Sequence, residues 1–337
     1  MVRSASHAVR FLAILCVPAF AACSGGGAPP VTQTANAAGY TPFGLAAKPL
    51  VATAQLDRLY AVDAGGFPPT GPVFIFNEYG SHQKAFAHFG TFNSSYAVKA
   101  GADGKIYVTD GGTSPYDGKL YVYAEADGAP ILTIDDDGGL PADVAVAADG
   151  TIYLANAYEV QACNGGGDVR VYAKGQTSPA YTICDSGIGQ PYSQLNGIAL
   201  DSKGDVFVTW ESGTNTYGRV REFTPGPNYT GHFLPHVFKY PFGIAVDAAG
   251  NVAVADARVP AVEVLAWGSA TPKYTLAQTG DPTGIAFDSS GTRLFVADAL
   301  ANQIDVYEFP GGTLVNTIPF PGQQVDGIAV GPPFRGL

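Results

Sequence analysis

The residues equipped for chemistry recur along the chain rather than gather in one motif. Asp63, Asp110, Asp256 and Asp298 each close an alternating apolar run, and Asn156 and Trp210 hold the matching places in two further runs. A carboxylate can act as a general acid or base, or ligate a hard cation, but catalysis needs no copy in every repeat. The four equivalent aspartates are therefore expected to accept hydrogen bonds from turn N–H groups. Trp210 departs from that pattern, and either packs or stacks a planar or sugar ligand near a pocket. Beyond the N-terminal segment the histidines are His82, His88, His232 and His236, none of them in an expected inner strand. His232 and His236 have the spacing of a helical zinc pair, yet Gly231, Pro235 and the strand-like pattern argue against a helix. Asp135-Asp136-Asp137 reads as a solvated acidic turn. No G-x-S-x-G elbow, phosphate loop or dinucleotide fingerprint occurs in the right context.

These residues are carried by a chain composed for short strands. Its 337 residues include 43 Gly, 25 Pro, 18 Tyr and 19 Phe, a mixture that favours brief strands joined by tight turns. With 46% hydrophobic and only 14% charged residues the chain does not read as disordered. A net charge of -11 with no basic run argues against nucleic acid as a partner.

A unit then recurs from Leu50 onward. Its clearest copies are Gly197-Ile-Ala-Leu-Asp201 with Gly204-Asp-Val-Phe-Val-Thr209, Gly243-Ile-Ala-Val-Asp247 with Gly250-Asn-Val-Ala-Val-Ala-Asp256, and Gly284-Ile-Ala-Phe-Asp288 with Gly291-Thr-Arg-Leu-Phe-Val-Ala-Asp298. Weaker copies start at Ala97 and Asp143, a degenerate one ends at Asp63, and Asp326-Gly-Ile-Ala-Val330 supplies a first strand alone. Successive starts lie 41 to 54 residues apart, and each unit adds a third and fourth strand such as Lys119–Ala124 and Pro130–Ile134. That period predicts an all-β, six-bladed β-propeller of four-stranded antiparallel blades over residues 46–337. The orphan strand at 327–331 is expected to close the ring by joining the N-terminal blade, whose outer strands come from 58–89. The loops after the second strands (64–71, 111–118, 157–167 and 211–218) are longer than the other turns. They fall on one face, which is expected to bind a protein, peptide or saccharide partner.

The G-I-A-x-D…G-x-V-x-V-A-D units followed by an x-I-x-V-Y strand, as at Gln303–Tyr307, resemble the NHL-type repeats of six-bladed propellers of the TolB-like and gluconolactonase-like class. The resemblance covers nearly all of residues 50–331. It implies the fold but not the function, because such folds host both enzymes and binding proteins. Tyr96, Ala142, Asn196, Phe242, Thr283 and Asp326 precede the first strands and are expected to ring the mouth of the central channel. In gluconolactonase-like propellers, Asn-Gly and Asp-Gly at this place supply calcium ligands, so the resemblance nominates Asn196 and Asp326 for a calcium-dependent lactonase. Ordinary channel polarity is the other reading, and no metal ligand set is assigned, since calcium takes six to eight oxygens. The favoured expectation is a binding or assembly module rather than an enzyme.

The N-terminus reads as an address. Arg3 and Arg10 flank no acid, Phe11–Ala22 is a mostly apolar run, and Cys23 follows. That run is too short to span a bilayer core, which takes about 20 helical residues, and the layout is that of a secretory signal over residues 1–22. Phe20-Ala21-Ala22-Cys23 resembles the lipobox of bacterial lipoproteins, with Phe20 where leucine is usual. The resemblance implies lipidation at Cys23, a linker over 23–45, export and an outer-membrane location, with membrane contact through the anchor only. An ordinary signal that leaves Cys23 free is the alternative. Cys163 and Cys184 are then an even pair in an exported chain, so a disulfide is expected, against two buried free thiols.

Overall fold

The computed structural model describes residues 57–331, apart from 66–70, 78–86, 114–116, 125–127, 160–162, 164–165, 185–193, 213–216 and 278–279. The signal segment, Cys23 and the linker lie outside the described residues.

The alternating apolar runs form strands because period-two burial suits a pleated sheet. In chain order the first blade contributes β1 (Arg58–Asp63), β2 (Gly71–Asn77) and β3 (Ala87–Phe92). The second is β4 (Val98–Ala100), β5 (Ile106–Asp110), β6 (Asp117–Tyr123) and β7 (Leu132–Asp137). The third is β8 (Gly139–Val146), β9 (Ile152–Glu159), β10 (Asp168–Tyr172) and β11 (Tyr181–Cys184). The fourth is β12 (Gln194–Leu200), β13 (Val206–Glu211), β14 (Gly218–Phe223) and β15 (Gly231–Phe233). The fifth is β16 (Pro241–Val246), β17 (Asn251–Asp256), β18 (Ala261–Ala266) and β19 (Tyr274–Ala277). The sixth is β20 (Pro282–Phe287), β21 (Arg293–Asp298), β22 (Gln303–Glu308) and β23 (Leu314–Pro319), and β24 (Val325–Gly331) ends the described chain.

These strands make six antiparallel sheets of four. The last strand, β24, is the innermost strand of the first blade, with Leu59 opposite Val330 and Tyr60 opposite Ala329. The ring is thus closed by pairing between the two ends of the repeat array, as its orphan strand led one to expect.

Blades cohere by stacking. Six apolar clusters occupy the six blade interfaces, for example Leu59, Phe76, Phe295 and Ile318 between the sixth and first. Middle strands buried on both faces, such as β5 and β17, account for the low charge of the chain.

Two features of the repeat prepare the channel. A β-bulge interrupts the first strand pair of five blades, between Ala61 and Asp63, Pro141 and Asp143, Leu195 and Gly197, Pro241 and Ile244, and Pro282 and Ile285. A bulge re-aims the side chain it carries, and in four of these blades it goes with Ala142, Asn196, Phe242 and Asp326 facing the axis. Glycine follows Asn196, Phe242, Thr283 and Asp326 because inner strands of neighbouring blades crowd there. A Cβ on Gly243 would collide with the Thr283 carbonyl, and one on Gly327 with that of Tyr96.

Candidate functional site

Residues that precede the cores of the inner strands converge on the ring axis. Tyr96, Ala142, Asn196, Phe242 and Asp326 line one cavity of about 20 Å³. Thr283, also expected there, instead donates its hydroxyl to the Asp326 carbonyl at 3.3 Å. Asn196 and Asp326 therefore face a common space from opposite sides of the ring. The Asn196 amide nitrogen donates to the Pro241 carbonyl at 3.0 Å, tying the fourth blade to the fifth. Asp326 is buried, and its Oδ1 has no hydrogen-bond partner among the described residues. Burial pushes its carboxyl up to about 7; the Thr283 hydroxyl opposes the shift, and the Asp281 and Asp143 carboxylates add to it.

Two further residues complete this centre, and both escaped the sequence reading. Asp143 occupies the place that holds Ala97, Gly197, Gly243, Gly284 and Gly327 in the other blades. Lys99 occupies the place that holds Ala145, Ala199, Ala245, Ala286 and Ala329. Asp143 Oδ1 accepts the Val144 N–H at 2.8 Å, and Oδ2 accepts the Ile198 N–H of the next blade at 2.9 Å. The Lys99 ammonium lies 3.5 Å from Oδ2. Burial raises the Asp143 carboxyl above its ordinary range, and Lys99 and the two N–H groups oppose that shift. The signal that would have found both is a charged residue where the repeat otherwise keeps Gly or Ala.

A second buried acid stands above the ring. Glu211 is 0% exposed, and neither carboxylate oxygen has a hydrogen bond of ordinary geometry among the described residues. Burial pushes it up to about 7, opposed by the Arg258 charge and by the polar ends of Asn196, Gln194 and Tyr240. Arg258 in turn lies 4.9 Å over the Tyr240 ring.

The recurring aspartates act as staples. Asp63 accepts the Gln323 and Gln324 N–H groups, Asp110 those of Asn93 and Ser94, Asp256 those of Lys239 and Tyr240, and Asp298 that of Asp281. Each donor belongs to the connection leading into the inner strand of the same blade. Asn156 differs, donating to Asp168 Oδ1 at 2.8 Å. Trp210 is 2% exposed, packs edge-on to Tyr217 at 5.7 Å, and lies in the core between the third and fourth blades. It borders neither the axial cavity nor the wider space below it. His236 pairs with Glu263 at 2.7 Å on the outside of the ring. Cys163 and Cys184 form a disulfide that fastens the loop after β9 to β11 of its own blade. Parts of the four long loops (66–70, 114–116, 160–162, 164–165 and 213–216) lie outside the described residues.

Below the acids the channel widens to about 270 Å³. Its wall is made by the far ends of the inner strands, including Ala100, Val146, Leu200, Val246, Phe287 and Val330. It therefore opens on the face of the tight first turns, opposite the long loops. Lys99 borders both the narrow and the wide compartments.

The residues present do not compose a calcium shell. Both Asp143 oxygens already accept N–H groups with an ammonium beside them, and the side-chain oxygens of Asn196 and Asp326 fall short of the six to eight that calcium takes. Among the described residues no three His, Cys, Asp or Glu side chains assemble as a metal-holding group.

No family model matches the chain, and no curated protein matches it in sequence. Solved structures do match in three dimensions. A chain of the nidogen/laminin complex superposes with a TM-score of 0.64 at 16% identity, covering 82% of this chain and 98% of that one. TolB from Acinetobacter baumannii gives 0.59 at 13% identity, covering 82% and 67%. A protein from Bacteroides uniformis assigned as a candidate 6-phosphogluconolactonase gives 0.53 at 14%, covering 79% and 83%. The chain is a six-bladed β-propeller. At these identities the likeness establishes the propeller fold and stops there, since the same scaffold carries enzymes and non-enzymes. Function must be read from the propeller's own axis and faces.

Proposed function

We propose that this propeller is a non-catalytic binding module held at the bacterial cell envelope, engaging a protein, peptide or saccharide through its loop-bearing face. One observation carries the reading. Asp326 and Asp143 have raised proton affinity, but the space beside them is about 20 Å³, room for about one water. A hydrolase must seat a reacting carbonyl against its acid and base, and ligand sites run to about 300 Å³ or more. The axial polar groups instead bond from blade to blade, as Asn196 does to Pro241 and Asp143 to Ile198. The staples and the disulfide tie the described parts of that face to their blades, a scaffold that suits recognition by loops.

The envelope location is supported by the lipobox-like Phe20–Cys23 and by the Cys163–Cys184 disulfide, which is consistent with export. No helix among the described residues is long and apolar enough to cross a membrane, so attachment would fall to Cys23. In a Gram-negative host, labelled palmitate should enter the wild-type chain and sediment with outer membranes. The Cys23→Ser chain should stay unlabelled.

The alternative is a calcium-dependent lactonase using Asn196 and Asp326, and the 6-phosphogluconolactonase candidate among the neighbours favours it. Incubating the full chain with sugar lactones, with calcium or with chelator, separates the two. Calcium-dependent turnover that disappears in Asn196→Ala and Asp326→Asn would overturn the binding reading; no turnover under either condition retires the lactonase.

A further inference from the structure

The wide end of the channel is a place apart from the loop face. It is walled by Leu200, Val246, Phe287 and Val330, all only partly buried, so apolar surface is left facing water around a space of about 270 Å³. Among the described residues one ionisable side chain borders it, Lys99, at its inner end. The acids of the axis, Asp143 and Asp326, line the narrow compartment only.

Lys99 is not there by default. The other five blades place alanine at this position, and all five alanines border the same space. A lysine set in an apolar wall costs solvation that alanine would not, so the substitution calls for a gain. Pairing with Asp143 supplies only part of it. Asp143 already holds a backbone N–H on each oxygen, and the ammonium stands 3.5 Å away, longer than an ordinary charge-assisted hydrogen bond. An ammonium carries three donors, and its side chain is 23% exposed.

We infer that the wide end of the channel binds a small amphipathic anion, its apolar body in the funnel and its carboxylate on the Lys99 ammonium. A cationic amphiphile would bring its charge against Lys99, and among the described residues no acid borders the funnel to receive it. A neutral one would gain the apolar contact and leave the ammonium unused. The space, worth about nine waters, suits a medium-chain carboxylate rather than a polymer.

Calorimetry of the full chain with octanoate, octanol and octylammonium tests this. Octanoate should bind one per chain, and more tightly than octanol or octylammonium. Lys99→Ala should weaken octanoate about tenfold or more and leave octanol unchanged, while Lys99→Arg keeps most of the affinity. Ala245→Leu, which narrows the funnel, should weaken octanoate and octanol together; thermal unfolding of each variant verifies that it is folded. Absence of octanoate binding, equal octanoate binding by wild type and Lys99→Ala, or preference for octylammonium would each overturn the inference. None of these results bears on the loop face, whose reading stands or falls by the lactone and labelling experiments.

Discussion

The Lys99 ammonium lies 3.5 Å from Asp143 Oδ2, and each residue stands where the other blades keep a small one. The two departures from the repeat are in adjacent blades and meet on the axis. Neither is intelligible alone. A buried carboxylate without a cation, or a lysine in an apolar wall without a counter-ion, would be a plain cost.

Their coupling is measurable. Lys99→Ala should destabilise the fold by about 1–3 kcal/mol at pH 8, because Asp143 loses its cation while buried. Adding Asp143→Gly, the residue of four other blades, should recover part of that loss. Urea unfolding of the two single variants and the double variant gives the coupling directly, and strictly additive effects would contradict it.

Stability should fall as pH rises. Asp326, Glu211 and Asp168 are each pushed up to about 7 by burial, far above their unfolded values, so the native state holds protons that the unfolded chain has released. Their contribution is fully present below about pH 4, declines between about 4 and 7, and is level above that. Asp326→Asn and Glu211→Gln should flatten the profile and each stabilise the protein by about 1–3 kcal/mol at pH 8. A melting temperature higher at pH 8 than at pH 5, or variants with an unchanged slope, would refute this.

The staples are buried, so losing one should be costly. Asp256 accepts Lys239 N–H at 2.7 Å, Tyr240 N–H at 2.9 Å and Val259 N–H at 3.4 Å, so Asp256→Ala strands these donors and should cost about 1–3 kcal/mol. Hydrogen exchange at those amides should accelerate before exchange elsewhere in the blade. Asp256→Asn, which keeps an acceptor, should lose less.

The disulfide closes a segment with a sequence separation of 21 residues. Replacing both cysteines with serine should cost about 3 kcal/mol, chiefly through the unfolded state. Limited proteolysis should then cut first between β9 and β10, where the tethered loop lies.

Much of the blade was legible in the chain. Alternation of apolar residues announced the strands, Asp-Gly and Ala-Gly pairs announced the turns, and Gly204 and Gly250 do adopt φ of 90° and 77° there. Asn196 and Asp326 were legible as inward-facing because they precede a strand-start glycine. Lys99, Asp143 and Glu211 were not. Each looks like an ordinary substitution in a degenerate repeat, and its meaning comes from a partner supplied by another blade or by the axis.

By itself, then, the sequence determined what short-range physics can decide: strand period, turn positions, number of blades, the closing strand and the cysteine pair. Burial alternates every second residue and turns need particular backbone angles, so those features are written locally. Only the closed ring decided which side chains meet. The bulges of four blades aim Ala142, Asn196, Phe242 and Asp326 at a common axis, and crowding there divides the channel into a polar neck of about 20 Å³ and an apolar mouth of about 270 Å³. Trp210, exposed or buried as far as its own segment could tell, was sent into the core because the third blade packs over it. Charge and space at the axis are sums over six blades, and no single repeat contains them.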